Sequence, residues 1–529
     1  MSLYNEYELS MNPGAGRKWI VAVLTLVMTG LAAIAWSQQG FRSLQEVWGA
    51  RYQAAPKTPA PTSHPAHHSG NAADRVRHWN EIAINASGLD HTPVAADENR
   101  VFGEQFGPVR ASRAMAIVHI AVFEAVNAIS GGYRSYIGMH RENPTSSMDA
   151  AIAQAAHDTL TALFPSQTTT FDQQLAHDLG QIPNNFSKSQ GIDLGLRAAS
   201  MTLALRANDG SQQAEPRIGI NFFTSNDPGK WRQDPISQNP LALGALWNQV
   251  RPFVLQSSLQ FRAPVPPALN SPDYTTAFNE AKTLGGDGIT TATTRTAEQT
   301  EIGTYWAYDG TPSLCAPPRL YNQITMHIAD QQGTSSNVLE LARLLALVNV
   351  SMADAGIAIW ESKYHYQFWR PITGIRESDA GTGPTGAGDG NAATAGDPNF
   401  TPLGAPASNL NGPNFTPPFP AYPSGHAGFG GALFQTLRNY YQTDNIAFTF
   451  VSDELNGVTR DNGGNVRPLV PRSFSSLSQA EEENAQSRIY LGIHWRFDKT
   501  EGIAQGRRVA DYVFTNAFTP HFPNLHSQQ

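Results

Sequence analysis

Residues Ser487 to Asp498 read SRIYLGIHWRFD. Arg488 and His494 stand six residues apart, and Asp498 follows His494 by four. On a helix or at its end, positions i and i+4 are neighbours, so the Asp498 carboxylate can reach the His494 imidazole. A carboxylate on one ring nitrogen fixes the tautomer and raises the basicity of the other. Such an imidazole suits a nucleophile or a metal ligand. Gly492 would allow close packing beside it. A surface His–Asp pair has the same spacing, so the interpretation depends on what accompanies it.

Two stretches upstream accompany it. Lys363 to Pro371 reads KYHYQFWRP, and Pro423 to His426 reads PSGH. Lys363 and Arg370 are seven residues apart, about two helical turns, so a continuous helix would put both on one face. The residues between them are too aromatic for a solvated face. Ala427 to Tyr441 (AGFGGALFQTLRNYY) predicts a helix, with Ser424 at its start. Free N–H groups at a helix N-terminus attract anions. Gly425 lets backbone approach closely, Ser424 can donate a hydroxyl, and His426 can move protons. A capping Ser and a chance His would explain PSGH alone. Together the stretches supply three cations, two imidazoles and a hydroxyl, the inventory for burying a tetrahedral, multiply charged oxyanion such as phosphate or vanadate.

In order and spacing the three stretches match the signature K-x6-RP … PSGH … SR-x3-G-x-H-x3-D, with every signature position filled. The chain thus resembles the superfamily of vanadium-dependent haloperoxidases and type 2 phosphatidic acid phosphatases. The run PPFPAYPSGHAGFGGA (Pro417 to Ala432) is similar to the fungal vanadium chloroperoxidases over its whole length. Phe419 and Trp360 occupy positions that this resemblance implies are aromatic walls of a halide pocket. WAYDG, Trp306 to Gly310, resembles a chloroperoxidase segment, in which Asp309 would pair with the second Arg or orient the site.

The resemblance implies an all-α helical bundle with long loops, vanadate as prosthetic group, and hydrogen peroxide, halide and a small organic acceptor as partners. His494 would be the axial vanadium ligand, held by Asp498. Lys363, Arg370, Arg488, Ser424 and the Gly425 amide would hold the oxyanion. His426 would act as acid–base, and Lys363 would polarise bound peroxide. The product would be a hypohalous halogenating species. The alternative is an exported acid phosphatase with His494 as nucleophile in the same cage. Phospholipid phosphatases usually carry several membrane helices, which are not expected here.

The remaining chain bounds these expectations. It has 529 residues, 15% charged, with 45 Gly and 36 Pro, which suggests long ordered loops around a helical core. A net charge of −8 argues against nucleic-acid binding. The single Cys315 permits no intrachain disulfide and suits small-residue packing. Trp19 to Trp36, preceded by Arg17 and Lys18, is an uncharged, mostly apolar run. It predicts a signal peptide or an N-terminal membrane anchor over residues 1–36, and an exported chain. Residues 37–73, a mixed stretch followed by Ala54 to Ala72 rich in Pro, Ala and His, read as a flexible linker. There His64, His67 and His68 belong to a tract expected to be disordered rather than to a metal site. A helical haloperoxidase domain is expected over 74–529, its catalytic part about 300–520. Helices are predicted at Ser112–Ile129, Asp149–Phe164, Asn184–Ala207, from an Asn337 cap into the first motif, Ser478–Leu491 and Thr500–Phe518. His119, His157 and His177 on or beside them read as structural. Asp379 to Pro418 is expected to be an extended loop framing the pocket entrance.

Overall fold

A computed structural model describes residues 40–54 and 71–521 of the chain. The apolar run 19–36 and the three linker histidines lie outside the described residues. The elements are α1 (Leu44–Trp48), β1 (Gln53–Ala54), α2 (Ala72–Asp90), α3 (Pro108–Ser130), α4 (Met148–Leu163), α5 (Thr168–Gly180) and α6 (Phe186–Arg206). They continue with α7 (Pro272–Gly285), α8 (Ala297–Tyr305), α9 (Pro317–Gln331), α10 (Val338–Tyr366), α11 (Pro371–Arg376) and β2 (Leu410–Asn411). The last are α12 (Gly425–Tyr441), β3 (Phe448–Asn456), β4 (Leu469–Phe474), α13 (Leu477–Tyr490) and α14 (Arg496–Asn516). The fold is helical, as expected. β1 pairs antiparallel with β2, and β3 with β4.

Helices α3 and α10 pack on each other at the centre. Both are long and apolar enough to cross a membrane, yet the apolar window of each is wholly buried inside the fold. Apolar residues all round are what a helix surrounded by other helices requires. Asn337 caps α10, its side chain accepting from the Leu339 and Glu340 amides, so the predicted start is where the helix begins.

Helices α12 and α14 pack side by side and carry two of the three motifs. Small residues permit that approach. A Cβ added to Gly506 of α14 would lie 2.0 Å from the Gly428 carbonyl oxygen of α12. The contact brings the two helix starts together, and the Ser424 amide donates to the Asp498 carbonyl at 2.9 Å.

The linker expectation needs correction over 40–54. Tyr52 and Trp48 are buried in the main core, and β1 pairs with β2 across more than 350 residues of sequence. This segment carries Phe41, Trp48 and Tyr52, unlike the Pro-, Ala- and His-rich tract after it, and burying such aromatic side chains is favourable. After the undescribed residues 55–70, α2 begins at Ala72 behind an Asn71 cap.

Candidate active site

The three motifs converge where the starts of α11, α12 and α14 meet the end of α10. Lys363 lies in the last turn of α10 but Arg370 does not share that helix, contrary to the expectation of one continuous face. Gln367 adopts a left-handed conformation (φ 50°) that ends α10, and Arg370 is the N-cap residue before Pro371. A proline one residue on disfavours helical geometry at Arg370, which is extended, and suits the first position of a new helix. The break swings Arg370 back toward His494.

His494 sits just before α14, and Asp498 in its first turn. The His494 Nδ1 lies 2.8 Å from Asp498 Oδ2, which also accepts the Trp495 amide at 2.9 Å. Arg370 Nη1 donates to His494 Nε2 at 2.9 Å. Guanidinium groups only donate, so Nε2 must be the unprotonated nitrogen and Nδ1 must carry the hydrogen. Burial holds the imidazole well below its ordinary pKa, and the nearby Arg370 and Lys363 cations add to the shift. The result is a neutral imidazole with its Nε2 lone pair presented among cations. Burial also pushes Asp498 up to about 7, against the pull of the Trp495 N–H and the Lys363 and Arg370 charges.

The cations are held from behind. Lys363, fully buried, donates to the Pro420 and Ala421 carbonyls at 2.8 and 2.9 Å. An ammonium has three N–H bonds, so one remains. Burial drives its pKa well below the usual lysine value. Arg370 Nε donates to the Phe419 carbonyl at 2.9 Å, and Arg488 Nη2 to Asp309 Oδ1 at 2.6 Å. Asp309 thus pairs with Arg488. What remains is informative. Arg370 Nη2, Arg488 Nε and Arg488 Nη1 are buried with no protein partner. Buried donors without acceptors are costly and rare, and three on two buried guanidiniums fit an oxyanion that accepts them.

The PSGH residues complete the cage. Ser424 is the N-cap of α12, with its Oγ accepting the Ala427 amide at 3.4 Å and its hydroxyl hydrogen left to donate. Gly425 opens the helix, so its N–H has no acceptor within the helix. A Cβ there would meet the Trp360 ring at 3.1 Å. His426 Nε2 lies 2.5 Å from the Ala307 carbonyl, an acceptor, so Nε2 carries the hydrogen and Nδ1 is bare. Nδ1 stands 4.0 Å from Asp309 Oδ1. Burial and the Arg488 charge keep this imidazole well below its ordinary pKa.

Above the cage lies an open pocket of about 590 Å³, counting its solvent-facing mouth. His494, His426, Arg488 and Asp309 line its polar part, and Trp360 and Phe419 its apolar side, with ring centroids 4.9 Å apart. The Lys363 ammonium lies 5.2 Å from the Phe419 ring centre, and the Arg370 guanidinium 5.1 Å from it. Cations over aromatic faces are favoured. Trp306 and Trp369 are fully buried and do not line the pocket. Sequence reasoning missed the outer wall: Trp48, Phe106, Leu243 and Phe415 also line this pocket. They come from separate segments without a motif, and only Phe415, in the run Asn414–Pro418, stood near a quoted stretch.

Known proteins resemble this chain in sequence and fold. A family model described as the VCPO second helical-bundle domain matches residues 343–521. The vanadium chloroperoxidase of Curvularia inaequalis is 32% identical over 502 residues, covering 79% of this chain and 78% of that protein. The structure of a bacterial vanadium-dependent iodoperoxidase superposes with a TM-score of 0.66 at 24% identity, over 86% of this chain and 100% of that one. A bacterial vanadium-dependent chloroperoxidase in its holo form shares the fold at a TM-score of 0.57 and 18% identity, over 77% and 91%. The chain belongs to the vanadium-dependent haloperoxidase family.

Proposed function

We propose that this enzyme uses vanadate and hydrogen peroxide to oxidise halide to a hypohalous species that halogenates a small organic acceptor. The observation that carries this reading is the set of three partnerless guanidinium N–H-bearing atoms beside a neutral His494 Nε2. A tetrahedral oxyanion would satisfy those donors, and the unprotonated Nε2 could ligate its central atom in place of the hydrogen bond it accepts from Arg370. His494 would hold vanadate, with Lys363, Arg370, Arg488, Ser424 and the Gly425 amide on its oxygens. When bound, vanadate supplies a Lewis-acidic centre that activates peroxide toward halide.

The chain's own residues do the rest. Asp498 keeps the His494 hydrogen on Nδ1, so Nε2 stays available. The bare Nδ1 of His426 can take a proton from incoming peroxide, because the imidazole is neutral near pH 7. Lys363 keeps one N–H to polarise an oxygen in the cage. Trp360 and Phe419 strip water from the halide and offer no nucleophile to the oxidised halogen. The N-terminal apolar run supports export of the chain, and the net charge of −8 leaves no footprint for nucleic acid.

A His494 Nε2 prepared in this way also suits attack on phosphorus, so a phosphatase is the second reading. Loading the purified protein with vanadate separates them. Peroxide-dependent bromination should rise with vanadate, and p-nitrophenyl phosphate hydrolysis should fall. Hydrolysis inhibited by vanadate without any bromination would overturn the haloperoxidase reading.

A further inference from the structure

The peptide group joining Ala307 to Tyr308 is held at both ends. Its carbonyl accepts the His426 Nε2 hydrogen at 2.5 Å. Its N–H, the Tyr308 amide, donates to Glu454 Oε1 at 3.1 Å. A trans peptide points its C=O and N–H in opposite directions, so a hold on one aims the other. Tyr308 is fully buried with φ 41°, a conformation that a bulky residue keeps only where its surroundings impose it. Those surroundings come from β3. The Asp453 amide donates to the Tyr308 hydroxyl at 2.7 Å, and Glu454 takes the Tyr308 N–H. The β3–β4 register breaks between Val451 and Asn456, and Ser452 to Leu455 are all buried instead of alternating. Such breaks re-aim a strand, and this one brings both the Asp453 amide and the Glu454 carboxylate onto Tyr308. Glu454 is itself fixed: Ser408 Oγ donates to its Oε2 at 2.6 Å, and Arg467 forms a buried ion pair with the same oxygen.

We infer that Glu454 is a positioning residue for the acid–base His426, acting through the Ala307–Tyr308 peptide. This rests on the haloperoxidase reading, which gives His426 its proton-transfer role. Glu454 does not line the pocket. It holds the Tyr308 N–H, the peptide turns its carbonyl to His426, and the ring hydrogen stays on Nε2, which leaves Nδ1 bare. A carboxylate on the N–H also polarises the peptide and strengthens its carbonyl as an acceptor. The same turn sets the next residue, Asp309, whose Oδ1 accepts from Arg488 at 2.6 Å and stands 4.0 Å from His426 Nδ1. Without the hold, Tyr308 relaxes out of the left-handed region and the carbonyl swings away from the ring. The ring hydrogen is then free to occupy Nδ1, where it blocks the nitrogen that takes the peroxide proton.

Removing Glu454 alone would strand the buried Arg467 charge and destabilise the fold for an unrelated reason, so the test uses two double variants. Glu454→Gln with Arg467→Met keeps an oxygen for the Tyr308 N–H, and Glu454→Leu with Arg467→Met removes it; both lack the ion pair. Nitrogen NMR of the histidine-labelled full chain, before vanadate is added, reads the His426 tautomer, with its signals assigned by their loss in His426→Ala. The wild type and E454Q/R467M should show a fixed Nε2–H ring, and E454L/R467M a ring averaging between tautomers. With vanadate bound, kcat/KM for peroxide should fall about 10- to 100-fold in E454L/R467M. It should stay near the wild-type value in E454Q/R467M, with KM for bromide unchanged in both. A wild-type ring protonated at Nδ1, or equal behaviour of the two double variants, would overturn the inference. If E454L/R467M does not fold, Tyr308→Phe, which removes only the hydroxyl that the Asp453 amide meets, decides instead. A His426 signal moved toward averaging supports the inference, and an unchanged one overturns it. Failure of the haloperoxidase reading would appear separately, as no peroxide-dependent bromide oxidation by the wild type, and the NMR comparison would still decide the role of Glu454.

Discussion

The two histidines of the site differ in which ring nitrogen is free, and the difference follows from single contacts. Asp498 takes the Nδ1 hydrogen of His494, and the Ala307 carbonyl takes the Nε2 hydrogen of His426. One ring therefore presents Nε2 to the cage, and the other leaves Nδ1 without a hydrogen. Asp498→Ala should leave the Trp495 amide and the His494 ring without their acceptor. We expect the vanadate dissociation constant to rise about 10- to 100-fold, measured by titration calorimetry. These residues were legible in the sequence because each lies within a short motif whose spacing encodes a contact. Trp48 and Phe106 were not. They reach the pocket through the packing of distant segments, and nothing local in them marks a wall.

Helices place these groups, and their breaks matter as much as their lengths. Sequence periodicity carried α10 on through Arg370, whereas Gln367 and Pro371 end it and start α11. Pro371 was visible in the motif, but its role as a first helical residue depends on the turn before it. Gly492 is a second such point. Its φ is 68°, and an added Cβ would lie 2.4 Å from the Gly285 carbonyl oxygen on α7. Gly492→Ala should cost at least about 1–3 kcal/mol from backbone strain alone. It should also displace the His494 loop, so both the melting temperature and vanadate affinity should drop.

Within α3, His119 is 2% exposed, and neither ring nitrogen has a partner. Burial lowers its pKa to about 3, against about 6.5 in an unfolded chain. The folded state therefore binds the proton less readily. The stabilisation is complete above pH 6.5 and is lost as pH falls toward 3, at up to about 1.4 kcal/mol per pH unit. Unfolding of His119→Leu, followed by denaturant titration between pH 6 and 4, should show a shallower pH slope by up to that amount. The buried His91, His426 and His494 shift in the same direction and keep the rest of the slope.

For the whole molecule, the helical class was legible because apolar residues run round α3 and α10, which only a surrounding bundle can bury. The path of residues 40–54 was not, since they precede the Pro-, Ala- and His-rich tract and read as one stretch with it, while their own aromatics are buried. A ligand that binds only the folded cage raises the stability of the entire fold, by about 2.7 kcal/mol at a hundredfold excess over its dissociation constant. Vanadate should therefore raise the melting temperature in a concentration-dependent way. The most direct test combines vanadate titration calorimetry with peroxide-dependent bromination in the wild type and in His494→Ala. One vanadate per chain should bind the wild type and bring bromination with it. The folded variant should lose both, and bromination that survives in H494A would contradict the account.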